Sequence, residues 1–96
     1  MRLMLMVELD TEKANEAIRS GQMADVLGGV LGQLNPEAAY FYARGGRRGF
    51  TLFVDAPDNA SFPSLVEAFW LEMNASVEAI PCMNTDELLE GLGRLA

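Results

Sequence analysis

The chain has 96 residues, half of them hydrophobic, with seven basic against fourteen acidic side chains and no histidine. That length gives one core and a single domain, residues 1–96, and a net charge of −7 argues against a nucleic-acid partner, because an acidic surface repels phosphates. The missing histidine removes serine-type triads, His–Asp dyads, His-bound haem and nearly all catalytic zinc sites, so no cofactor is expected.

Arg2 to Leu9 alternates Leu3, Leu5, Val7 and Leu9 against Arg2, Met4, Met6 and Glu8. Both faces are largely apolar, which predicts a central strand covered on both sides. The run returns to charge at Glu8, unlike a secretory signal, and no stretch approaches the ~20 apolar residues of a membrane span. A cytoplasmic location and no membrane partner follow as expectations.

Asp10-Thr11 is a helix-start signal. From about Glu12 to Leu34, the residues Ala14, Ala17, Ile18, Gly21, Ala24, Leu27, Leu31 and Leu34 form one stripe at helical spacing. Gly21, Gly28, Gly29 and Gly32 interrupt it. Either the helix breaks near Gly21 or Gly28, or the glycines let it lie close to a sheet. Close packing is preferred to a phosphate cradle, since such loops follow a strand and carry Lys and Ser/Thr.

Asn35-Pro36 ends the helix. Ala38–Arg44 and Arg48–Asp55 are aromatic and β-branched runs joined by Gly45-Gly46-Arg47, a β-hairpin. Arg44, Arg47 and Arg48 read as a solvated hairpin tip, given a single Arg-Gly motif in an acidic chain. Asn59 or Ser61 is expected to cap a second helix, with Ser64 and Glu67 as a nearby capping box. Leu65, Val66, Ala68, Phe69 and Met73 then recur at helical period, and the pattern shortens to strand period from about Ala75 to Pro81. Cys82, the only cysteine, permits no disulfide and reads as a small buried hydrophobe. Asn84 to Glu87 caps a short amphipathic helix striped by Leu88, Leu89, Leu92 and Leu95.

The order strand, helix, strand, strand, helix, strand is the ferredoxin-like split βαβ order. The fold class is therefore α+β, a βαββαβ domain with a four-stranded antiparallel sheet and a short C-terminal helix. Its helices cover one face. The other face, with Met4, Met6, Tyr40 and Tyr42, is apolar too, and a monomer seldom exposes such a patch. Two sheets packed face to face would cover it, which predicts a homodimer.

The opening MRLMLMVELD, the stretch LNPEAAYFYA and the corner FWLEMNASVEAIPCMNTDEL resemble the dimeric α+β-barrel superfamily, and within it the small muconolactone-isomerase-like proteins. The resemblance implies two such domains pairing into a dimeric α+β barrel. Superfamily members include isomerases, polyketide cyclases, cofactor-independent monooxygenases, haem enzymes and proteins without known chemistry, and shared fold does not carry shared function. Branches built on a His–Asp pair or a His-bound haem are excluded, since no position supplies the histidine.

Two functional readings stand. One is a homodimeric small-molecule-binding or accessory protein with an apolar pocket on the sheet face. The other is a cofactor-independent isomerase, cyclase or monooxygenase acting on a small apolar or aromatic molecule. In the second, Glu8 or Glu78 moves a proton and Tyr40 or Tyr42 holds a developing oxyanion. Trp70 and Asn74, at the corner, are further candidate ligand contacts. Each has a plainer alternative: strand-end glutamates facing water, interfacial tyrosines, and a tryptophan anchoring the core or a dimer. The six methionines fill an adaptable apolar face and lack ligand spacing.

Overall fold

In the computed structural model, which describes residues 1–95, the opening alternation becomes strand β1 (Arg2–Glu8). Asp10 accepts a hydrogen bond from the Lys13 backbone N–H at 3.0 Å and starts α1 (Thr11–Arg19). α1 stops at Ser20, and Gly21 follows with φ +77°. A second helix, α2 (Met23–Leu34), continues the chain. Of the alternatives expected over 12–34, the break near Gly21 is the one found, because its left-handed backbone excludes helical continuation.

The hairpin follows as β2 (Ala38–Arg44) and β3 (Arg47–Asp55). Gly45 and Gly46 both have positive φ, 59° and 78°, the signature of a two-residue turn that matches strand twist. β3 therefore begins one residue earlier than the sequence pattern suggests. A 3-10 turn, Asn59–Ser61, leads into α3 (Phe62–Met73). Asp58 caps the turn, accepting from the Ser61 N–H at 2.9 Å; Ser61 stands at the N-cap position of α3, as expected, but its side chain makes no cap bond there. Asn74, in the left-handed region at φ 48°, ends α3, and β4 (Ser76–Pro81) and α4 (Thr85–Gly93) complete the described chain.

The four strands form one antiparallel sheet in the order β2-β3-β1-β4, the ferredoxin-like arrangement. Register aligns Leu3, Leu5 and Val7 with Val54, Leu52 and Phe50 on β3, and Leu5 and Val7 with Ala79 and Val77 on β4. Leu65, Val66, Phe69 and Met73 of α3, with Val30 of α2, join this face to make the core. The Phe50 and Phe69 rings meet edge to face, centroids 5.6 Å apart. Fully burying such a side chain contributes about 1.5–3 kcal/mol, and among the described residues no polar or charged side chain shares the core.

Three expectations need correction. β1 is central, but only its helix-facing residues are buried; Met4, Met6 and Glu8 are half-buried because no element of the chain lies over them. Gly28, Gly29 and Gly32 do not pack closely on the sheet, since a Cβ at any of them would meet nothing within 4 Å. Cys82 is half-buried rather than buried, because it lies just past the end of β4.

The molecule is long for its size. Its radius of gyration is 15.3 Å, against about 12.5 Å for a compact domain of this length, and its extents are 56 × 29 × 17 Å. No residue of α4 is buried; the helix is fastened at its base, where Arg2 bonds both Glu37 and Glu87.

Candidate functional site

The sheet face that no helix covers carries the candidate site. Strand register orders its side chains in rows. Ile80, Met4, Phe53 and Ala38 make the first row, and Glu78, Met6, Thr51 and Tyr40 the second. Ser76, Glu8, Gly49 and Tyr42 make the third, and Arg44 pairs with Arg47 beyond it. The face is therefore apolar at one end and charged at the hairpin end.

Glycine at position 49 shapes the third row. A Cβ there would sit 2.8 Å from the Val7 carbonyl oxygen and 3.2 Å from Tyr42 Cε1, so the Tyr42 ring lies across the space a side chain would fill. The ring's hydroxyl is fixed by Thr51, Oη to Oγ1 at 2.7 Å. Glu8, in the same row, accepts from Arg47 Nη1 at 3.3 Å. Glu78 has no hydrogen-bonding or ionic partner among the described residues. It lies diagonally from Glu8 across the β1–β4 pair, a separation of roughly 7–8 Å between backbones.

These groups line a cleft of about 420 Å³ that holds Met6, Glu8, Tyr42, Arg47, Ser76 and Glu78 together. A carboxylate and a tyrosine border the same cleft, but both carboxylates meet water: Glu78 is exposed and the Glu8 side chain is 43% exposed. Glu78 can accept a proton from a molecule lying over Met6, and Tyr42 can donate to its oxygen. Tyr40 stands on the same face but is 66% exposed, one strand beyond Thr51.

Trp70 and Asn74 are not part of this arrangement. They belong to α3 and its cap, which pack on the opposite face of the sheet. Trp70 follows the fully buried Phe69 and is 42% exposed. The Asn74 backbone N–H closes the helix on the Phe69 carbonyl. A separate groove of about 360 Å³ on that side, among α1, α2 and α3, is lined by Lys13, Glu16, Ser20, Met23, Glu72 and Met73 and touches neither residue.

Sequence reasoning left Arg44, Arg47, Ser76 and Gly49 outside the site. The available signal was the two-residue glycine turn, which fixes the register of β2 on β3 and so carries Arg44 and Arg47 onto the Tyr42 face. Among the described residues no three His, Cys, Asp or Glu side chains converge as a metal ion requires. No family model, no curated protein and no solved structure matches the chain.

Proposed function

We propose that this chain is a small-molecule-binding or accessory protein that works as a homodimer, two open sheet faces enclosing an apolar pocket. The supporting observation is the open face itself, where Ile80, Met4, Phe53, Met6 and Tyr40 occupy neighbouring positions in two rows. An uncovered face whose first row is apolar, and whose second row mixes Met6 and Tyr40 with Thr51 and Glu78, marks an interaction or ligand surface, and methionine adapts to varied ligand shapes. The muconolactone-isomerase-like barrel assembly and a cytoplasmic location belong to the same proposal. Native mass spectrometry of protein purified without harsh washing tests it. A dimer carrying a small retained mass is expected, and a clean monomer would overturn the reading.

A second reading, a cofactor-independent isomerase, cyclase or monooxygenase, draws support from one feature: Glu8, Glu78 and Tyr42 line a single cleft. Its base is Glu78, the carboxylate without a partner, while Glu8 is engaged by Arg47. If the retained molecule is turned over, Glu78→Gln lowers kcat by about 100-fold or more and leaves retention of the molecule intact. Unchanged turnover in that variant would leave the binding role alone.

A further inference from the structure

We infer that α4 is an exchanged arm: it packs its leucines along strand β2 of a second copy of the chain and forms one wall of the pocket between the two sheets. The inference rests on the dimer reading and adds to it a residue set that each chain supplies to the other.

Leu88, Leu89, Leu92 and Leu95 are 44%, 60%, 51% and 82% exposed, and Met83, at the entry to the helix, is 59% exposed. The helix is nevertheless well formed at its start. Asn84 Oδ1 accepts from the Glu87 N–H at 2.8 Å, and Glu87 accepts from the Asn84 N–H at 2.9 Å. Nine residues are too few for a helix to persist on propensity alone; it needs an apolar face to pack. In this fold it packs on none, since no residue of the helix is buried.

Direction comes from Arg2. Arg2 shares strand parity with Met4 and Met6, so its side chain leaves the sheet on the open face, and it holds Glu87. α4 therefore departs on the side where a second sheet would sit.

The receiving surface is the far edge. β2 is a seven-residue edge strand that exposes Tyr40 (66%) on the open face, with Phe41 (55%) on the helix side beside Phe50. Long apolar edges invite unwanted strand pairing unless something covers them. The chain's own α4 follows β4, at the opposite edge of the sheet. A two-fold axis parallel to the strands, passing between two facing sheets, sets β4 of each chain beside β2 of the other. The leucines and the aromatic edge then meet twice, reciprocally. Area agrees. Four strands about 4.8 Å apart, paired over roughly seven residues, offer about 450 Å² of face, whereas a stable interface takes about 800 Å² per partner. The face alone is too small, and the arm extends it.

The test uses the full chain carrying Leu88→Asp and Leu92→Asp together, sized across a concentration series by analytical ultracentrifugation. The dimer dissociation constant is expected to rise by at least about 100-fold, with circular dichroism showing the sheet intact. A double variant that dimerises like the parent overturns the arm. Met6→Arg, on the open face, separates the two ideas. Dimers lost with Met6→Arg but kept with the leucine pair sink the arm and spare the facing sheets; dimers kept in both sink both, as does a parent chain that is monomeric throughout. Position is read by disulfide trapping in a Cys82→Ser background. Mixed Leu92→Cys and Tyr40→Cys chains should cross-link between chains while neither does alone, and no cross-link in the mixture overturns the β2 location.

Discussion

Gly49 and Tyr42 act as one unit. The ring of Tyr42 rests where a Cβ on residue 49 would go, and that position lets its hydroxyl reach Thr51. Gly49→Ala forces the ring aside and crowds the Val7 carbonyl, an overpacking that costs about 1–3 kcal/mol. Urea unfolding measures it, and an alanine variant as stable as the parent would mean the ring does not lie there. Tyr42→Phe keeps the ring and loses the hydrogen bond to Thr51, a loss of about 1 kcal/mol in the same measurement. At this scale sequence parity placed Glu8, Glu78, Tyr40 and Tyr42, because alternation along a strand is a strict period of two. It could not place Gly49, since a residue without a side chain adds nothing to a hydrophobic pattern. It misassigned Trp70 and Asn74 to the same neighbourhood for a related reason: their closeness to β4 along the chain says nothing of which face α3 covers.

Among the elements, the helix ends and helix surfaces carry the tests. Asn35 and Asn74 hold left-handed backbone at φ 45° and 48°, where an alanine is strained by about 1–2 kcal/mol and asparagine by less. Asn74→Ala is accordingly destabilising and Asn74→Gly is not, as thermal unfolding of the pair will show. On α2, alanine at Gly28 or Gly32 meets open space, so each replacement should stabilise by up to about 1 kcal/mol; a loss instead would reveal something packed against that surface. α4 answers to pH. The Asn84 backbone N–H, and after it the Arg2 side chain, hold the Glu87 carboxyl below its ordinary value. A carboxyl lowered by folding contributes its stability above the unfolded-state value and loses it as pH falls through the folded-state one. Protection factors in the first turn of α4, measured against the intrinsic exchange rate at each pH, should fall across that acid window, and Glu87→Gln should remove that fall. The strand and helix order was legible because each periodic run is bounded by Asp-Thr, Asn-Pro, Gly-Gly or Asn. The division of α1 from α2 was legible only as one alternative, because Gly21 and Gly28 both offered a break and the apolar stripe runs past each; only the positive φ at Gly21 decides between them.

For the whole molecule, one elongated body implies a measurable shape. Small-angle scattering at dilutions that separate the chains should return a radius near the 15.3 Å of the isolated fold; a value near the compact ~12.5 Å would mean α4 turns back onto its own sheet. An apolar second face was legible from Met4, Met6 and Tyr40, whereas the projecting helix was not, since its leucine stripe reads the same whether it packs at home or abroad. The sheet order has a further consequence, in time rather than space. β1 is made first yet lies in the middle of the sheet, between β3 and β4, so a growing chain carries it with both edges vacant until Arg47 and the residues after it appear. The β2–β3 hairpin closes locally and quickly, and gives β1 its first edge to join. Between the synthesis of Asp55 and that of Met73 the nascent sheet has three strands and a core face that still lacks α3. That interval is when translation speed and holding chaperones would decide whether this chain folds or clumps.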